Sequence, residues 1–372
     1  MPASRSPRQP NRHALARLHR MASLDVGGVR LIEPLLAELG QVVRFDFGGL
    51  LYPGSDGAVA AYVQDGPLLD VVAESFDPRI LQSEREVLGR SSHDLAGAVA
   101  HEYGPKLLRE LIQVPMREFQ RSDFFNVVAR PGEGMEYLKL TLRTPQGVGV
   151  GTLFLFREAA SPLFTPNDVA HLARLEPHLA RILQSGEYDS DHYEVHSEGM
   201  LVVTPAGHPL WLSPEAEPLL VMAFGWRWRW RHGAGLPPAL LELLRRLDAT
   251  DLLEVPALEL QTPQGWFSVR ATRMAAAESP HGPQAVALHI TRRVARGARL
   301  LAALLALDLP QRQHELAWWL ARGLSETQTA QRMGISIHTA VYHRRQLYNR
   351  LGVMQRQELL GKLRQGMLKP HT

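Results

Sequence analysis

The sequence predicts two α+β units, each built around an antiparallel sheet with helices, followed by an all-helical C-terminal end. Three observations predict it. A short turn recurs as TPQG at 144–147, TPAG at 204–207 and TPQG at 262–265, each between alternating or apolar runs. Pro second and Gly fourth is the preference of a type I β-turn, so each repeat reads as the tip of a β-hairpin. Apolar residues at helical spacing surround the hairpins. Beyond residue 309 the signals are helix caps and helix stops: Ser325 with Gln328, then Gly334, then Ser336.

Length and composition bound the problem. With 372 residues, 45% apolar and 21% charged, the chain belongs among globular proteins of two or three compact units. It contains no cysteine, which excludes disulfide frameworks, cysteine nucleophiles and thiolate zinc sites. The apolar run LLAALLAL at 300–307 is far shorter than a membrane span. Residues 1–20 carry five arginines and no acid but no apolar signal core, so neither export nor membrane insertion is expected and a cytoplasmic location is. Net charge is +3, distributed unevenly. Residues 309–372 hold ten Lys or Arg against three acids, and with the arm's +5 this leaves −9 for residues 21–308. A basic end on an acidic body points to a polyanionic partner at that end.

In order along the chain, residues 1–20 read as a basic flexible arm. Residues 21–186 form a first α+β unit, with EYLKLTLR and VGVGTLFLF as a hairpin across the first TPQG. Its closing helix, within 164–183, has Thr165 as N-cap, Pro166 at the first helical position and Val169, Leu172, Leu175, Leu179 and Ile182 as a stripe, with Pro177 as a kink. Residues 187–293 form a second unit. In its WFSVRAT, Phe267, Val269 and Ala271 share one face and Ser268, Arg270 and Thr272 the other. A linker helix over 294–308 leads to the all-helical end, 309–372.

In that end the Ser325–Gln328 capping box opens one helix, Gly334 closes it, and Ser336 caps the next: two short helices across a tight turn, a helix-turn-helix. On the second helix Ala340, Leu347 and Leu351 face inward. The opposite side presents His338, Val341, Tyr342 and Arg345, with Ile337 at its start, placed to enter a major groove. Arg345 can pair in bidentate fashion with guanine and Val341 can touch a thymine methyl. His343 and Arg344 suit phosphates, and Ser325, Thr327 and Thr339 complete the candidate DNA contacts.

The stretch LPQRQHELAWWLARGLSETQTAQRMGISIHTAVYHRRQLYNRLGVMQRQELL resembles the LuxR-type helix-turn-helix without a gap. Its motif elements stand at Leu309, Glu315, Gly323, Leu324, Ser325, Ala330, Ile335, Ser336, Thr339, His343, Leu351, Gly352, Val353, Arg356, Glu358 and Leu359. The resemblance implies four helices, the third the recognition helix, with a last one near 355–365 that often supports dimerisation. Two departures stand out: the family usually has an acid where Gln313 stands and commonly Lys or Arg where Val341 stands.

The body carries neither a phosphate-binding GxxxxGK[ST] nor the paired acids of a receiver domain, and strand sequence follows GVGVG at 147–151, which argues against a phosphate loop. The segment from SDFFNVVARPG to LARIL (122–183) resembles the later half of a GAF-type sensory domain, and GMLVVTPAGHPLWLSPEAEPLL (199–220) the opening of a PAS-type domain. Such folds hold a small ligand over a central antiparallel sheet or serve as dimerising scaffolds. His93, Asp94, His101 and Glu102 fit no metal-binding helix spacing and read as solvated helix residues. GWRWRWRH at 225–232 reads as a strand or loop whose tryptophans pack while its arginines face water. At least one of Trp318 and Trp319 is expected to pack.

These readings converge on a non-enzymatic, sequence-specific transcription regulator. Its expected partners are double-stranded DNA at a pseudo-palindromic site, a second copy of itself, RNA polymerase and a small-molecule effector; no cofactor or metal is expected. The alternative is an adaptor whose C-terminal helices bind a protein partner.

Overall fold

The structure, a computed structural model, describes residues 12–24, 27–54, 58–64, 66–184, 193–225, 228, 235–249, 255–275, 285–307 and 309–367. The helices in chain order are α1 (Arg12–Ser23), α2 (Ile32–Leu39), α3 (Leu68–Val71), α4 (Pro78–Leu88), α5 (Leu95–His101), α6 (Leu108–Leu111), α7 (Met116–Phe119), α8 (Pro166–Leu183), α9 (Ala216–Phe224), α10 (Pro238–Ala249), α11 (Arg296–Leu305), α12 (Gln311–Ala321), α13 (Glu326–Arg332), α14 (Ile337–Leu351) and α15 (Arg356–Met367). The strands are β1 (Phe47–Pro53), β2 (Val59–Val63), β3 (Lys106–Leu107), β4 (Glu136–Arg143), β5 (Gly149–Arg157), β6 (Tyr193–Val203), β7 (Pro209–Leu212), β8 (Ala257–Thr262), β9 (Gly265–Met274) and β10 (Ala285–Ala295).

The strands form two five-stranded antiparallel sheets of the same order, β2-β1-β5-β4-β3 and β7-β6-β10-β9-β8. All three T-P-x-G turns are hairpin tips. In the first two the Gly amide donates to the Thr carbonyl, Gly147 to Thr144 at 2.9 Å and Gly207 to Thr204 at 2.8 Å. Both glycines are left-handed, φ 81° and 85°, and each hairpin carries a bulge, the pattern of a type I turn closed by a left-handed residue. The third is tighter, since Thr262 and Gly265 are themselves paired across the ladder.

The chain falls into two compact units, one of residues 45–165 and 192–295, the other of 1–44, 166–191 and 296–372. In the first, the β1-containing sheet turns Phe47, Leu51, Tyr137, Phe154 and Phe156 against Ile80, Val87, Leu108, Phe119 and Phe124. The second sheet packs Phe267, Val269, Ala271, Leu288 and Ile290 against Leu219, Leu220, Leu240 and Leu243 of α9 and α10. Phe267, Val269 and Ala271 are buried as their alternation predicts. Ser268 is buried as well, its hydroxyl donating to Glu259 at 2.8 Å, so that polar face is not simply solvated.

The second unit is helical, and here the structure corrects one expectation, the flexible arm. The basic arm expected over 1–20 is a helix from Arg12 onward: Ala14, Leu18 and Met21 recur at helical spacing and are fully buried, an amphipathic stripe hidden by the charge around it. Residues 1–11 lie outside the described residues. The stretch 21–186 contributes its strands to one unit and α2 and α8 to the other, because α1, α2 and α8 bury their stripes on one another and α1 also packs on α12. On α8, Leu172, Leu175, Leu179 and Ile182 are buried, and the helix continues through Pro177. Among the described residues no helix is long and apolar enough to cross a membrane.

Of the other stretches singled out, most of 225–232 lies outside the described residues; Trp228 is buried in the core with Leu236 and Leu240. Asp94 caps α5 by accepting from the Gly97 amide at 2.9 Å. Glu102 accepts from Lys139 at 2.9 Å and from Thr141 at 3.0 Å, and so binds the sheet instead of water. His93 also departs from a solvated role, lining a cavity over the sheet.

Candidate nucleic-acid interface

The expected helix-turn-helix is built by local backbone chemistry. Ser325 caps α13, its hydroxyl accepting from the Gln328 amide at 3.2 Å while Gln328 Oε1 accepts from the Ser325 amide at 2.8 Å. These reciprocal bonds satisfy two of the donors that every helix start exposes. Gly334 follows α13 at φ 62°, where a side chain would strain the backbone. Ser336 then caps α14 through the Thr339 amide at 3.1 Å. Gly352, at φ 63°, ends α14.

The tail's core fixes how α14 is turned. Ala340, Leu347 and Leu351 are buried, as are Leu316, Trp318, Trp319, Ala330, Met333, Leu359 and Leu363 from the other helices, so both tryptophans pack. Arg322 lies over the Trp318 ring at 5.3 Å and Arg332 over Trp319 at 5.6 Å. With Ala340 and Leu347 inward, the opposite side of α14 is exposed. Ile337 and Tyr342 are 38% and 58% accessible, and His338 and Arg345 are also exposed. Residues 338, 342 and 345 share one helix face over about 10 Å, the reach needed to follow a few base edges.

The remaining candidate contacts divide. Ser325 and Thr327 are exposed at the start of α13. Thr339 is exposed, but its hydroxyl is 2.8 Å from that of Ser336, inside the cap. Val341 and His343 are half-buried, the His343 ring lying edge-on to Tyr342 at 5.7 Å. Arg344 is ion-paired with Glu326 of α13 and lies 5.8 Å over the Tyr348 ring. The structure therefore brings Ile337, His338, Tyr342 and Arg345 together as an open ridge and turns Arg344 back onto the domain.

Sequence reasoning passed over Glu326 and Lys362 and named Arg356 only as a motif element; all three hold this frame. Glu326 anchors Arg344. Arg356 donates to the Leu320 carbonyl at 2.5 Å and Lys362 to the Leu351 carbonyl at 2.5 Å, each meeting a carbonyl at a helix end. No local spacing marks these bonds, which join elements 36 and 11 residues apart. Gln313, where the family usually has an acid, keeps Oε1 buried and without a partner among the described residues.

Residues 308–362 match the model for bacterial regulatory proteins of the luxR family, GerE. No curated protein matches the chain. Solved structures similar to it include VqmA bound to DPO, at 15% identity over 46% of this chain and 83% of that one, TM-score 0.18. A Vibrio cholerae VqmA dimer described in the absence of target DNA gives 15%, 46%, 84% and 0.18. An E. coli DhaR(N)-DhaL complex gives 12%, 77%, 93% and 0.24. TM-scores this low do not establish a shared arrangement. The built helix-turn-helix lies within the matched stretch, and residues 308–362 are a LuxR-family helix-turn-helix domain.

Proposed function

We propose that the chain is a sequence-specific transcription regulator that acts as a dimer on a pseudo-palindromic site and is controlled by a small molecule held in its sheet-containing region. The exposed ridge Ile337, His338, Tyr342 and Arg345, on a helix whose opposite face is buried, carries the reading. Tyr342 and Arg345 read base edges, while Ser325, Thr327, Thr339 and His343 meet the backbone of the duplex. The +7 charge of residues 309–372 supplies the attraction to phosphate. In this reading 21–186 is a GAF-like and 187–293 a PAS-like sensory region, 294–308 links them to the DNA-binding domain, and RNA polymerase is the downstream partner. The five-stranded antiparallel sheet in each region supports the sensory assignments.

Selection of sites from random duplex DNA by the full chain, at two salt concentrations, tests it beside the Tyr342→Ala, Arg345→Ala double variant. A two-fold symmetric motif enriched by the wild type and not by the variant is the expected result. No motif at either salt would favour the adaptor reading, in which α13 and α14 bind a protein.

A further inference from the structure

Over the β1-containing sheet lies a cavity of about 90 Å³, walled by Phe124, Tyr137, Phe154 and Phe156. Its shape follows from two features. Gly49 lines it from β1, on the same face as Phe47 and Leu51, where a Cβ would already stand 3.1 Å from the Tyr62 carbonyl oxygen. The roof is a π-helical turn, Phe124–Ala129, in which the Arg130 amide reaches the Phe125 carbonyl at 2.8 Å and Ser83 of α4 accepts from the Phe124 amide at 3.1 Å. Such wide turns are frequent at functional sites.

Three polar side chains line this apolar space with hydrogen-bonding capacity to spare. Glu84 is 4% exposed; its Oε2 accepts from the Ser91 hydroxyl at 2.8 Å and the Ser92 amide at 3.0 Å. Tyr137 is 6% exposed and its hydroxyl has no partner among the described residues. The His93 ring lies edge-on to Phe76 at 4.3 Å. Buried polar groups are nearly always paired, so the Tyr137 hydroxyl facing this cavity marks a place where something else supplies the partner. Burial drives these groups toward their uncharged forms. It pushes the Glu84 carboxyl up against the opposing hydrogen bonds from Ser92 and Ser91, and it pulls His93 down to about 4. Burial, then the charges of Glu84 and Glu102, raises the Tyr137 hydroxyl.

We infer that this cavity is the effector site and takes an uncharged, single-ring aromatic molecule bearing one hydroxyl or carbonyl oxygen, which accepts from the Tyr137 hydroxyl. The inference deepens the ligand-controlled reading above and rests on it. The aromatic walls select a flat ring, and at about 90 Å³, below the roughly 150 Å³ of a cavity that takes benzene, the space has room for no more than one ring. An aromatic carboxylate would lose its hydration here with no cation lining the cavity to replace it.

Titration calorimetry of the full chain without DNA tests the site, with phenol, toluene, benzylamine and benzoate as probes. Phenol is expected to bind at least about tenfold more tightly than toluene, and the two charged probes more weakly than phenol. Tyr137→Phe should weaken phenol about tenfold. Ala61→Phe, which fills the space from the edge strand, should abolish phenol binding. Far-ultraviolet circular dichroism confirms that each variant is folded. Benzylamine binding best and lost in Glu84→Gln would overturn the assignment by showing a cation site; so would no binding by any probe, or phenol binding unaffected by Tyr137→Phe and Ala61→Phe. The two readings fail separately: phenol binding that leaves DNA affinity unchanged removes ligand control and keeps the cavity's chemistry, while a selected DNA motif without probe binding removes the cavity assignment alone.

Discussion

Arg20 of α1 donates through Nη1 to the main-chain oxygen of Leu309, 2.5 Å away, and is itself only 4% exposed. Leu309 stands two residues before α12, the first helix of the helix-turn-helix domain, so an N-terminal helix is bonded directly to that domain. A buried bond from a charged donor contributes about 1.5–3 kcal/mol. Arg20→Met should therefore destabilise the helical unit by roughly that amount in urea unfolding, with the sheet-containing unit unaffected.

One helical turn after that bond, His314 is fully buried with both ring nitrogens unpartnered among the described residues. Burial, and then the charge of Arg20, holds it down to about 3 from the usual 6.5. Below pH 6.5 the unfolded chain takes up a proton that the folded chain refuses. Stability should thus fall as pH drops from 6.5 toward 3, by up to about 1.4 kcal/mol per pH unit for this one group, and be flat above 6.5. His314→Leu should remove that part of the slope. An unchanged slope between pH 5 and 7 would show that His314 is not the group responsible.

The recognition helix carries two adjacent arginines with different tasks. Arg344 is half-buried and tied to Glu326, and a partly exposed ion pair contributes at most about 1 kcal/mol. Arg344→Ala should lower stability by that order and weaken all DNA sequences alike, through the setting of α14 against α13. Glu326→Gln should reproduce most of the stability loss. Equal effects of Arg344→Ala and Arg345→Ala on sequence preference would contradict this division.

What was legible in the sequence was whatever one turn of backbone decides. The Ser325 and Ser336 caps, the stops at Gly334 and Gly352 and the T-P-x-G hairpin tips are settled by residues within four positions of each other. So is the α8 stripe, although Val169 proves half-buried. The N-terminal helix was missed because its arginines outweigh a stripe of only Ala14, Leu18 and Met21. The cavity was illegible for a different reason: Glu84, His93, Tyr137 and Phe154 come from separate segments, and only the pairing of β4 with β5 sets Tyr137 beside Phe156. The Arg344–Glu326 pair spans 18 residues, and nothing local distinguishes Arg344 from Arg345.

Two glycines separate backbone strain from steric exclusion. At Gly334 a Cβ would meet nothing within 4 Å, so Gly334→Ala should cost only the left-handed conformation, about 1 kcal/mol. At Gly27 a Cβ would lie 1.8 Å from the Gln184 carbonyl oxygen, an atom that cannot rotate away. Gly27→Ala should therefore force the α1–α2 connection off the end of α8, with a melting-temperature loss well beyond that of Gly334→Ala.

Base readout and phosphate attraction are separable on α14 by salt. Each phosphate neutralised on B-form DNA contributes about −0.9 to the slope of log affinity against log salt. Arg345 lies on the open ridge with Tyr342 and His338, where it meets base edges. Arg345→Ala is therefore expected to relax preference at one base position by about 1–3 kcal/mol, on the selected motif and its single-base variants, while leaving the salt slope within about one unit of wild type. Tyr342→Ala should relax a neighbouring position with no change in slope, since it carries no charge. If Arg345→Ala weakens every sequence equally and lowers the slope by a full unit, Arg345 binds phosphate, and sequence discrimination rests on Ile337, His338 and Tyr342.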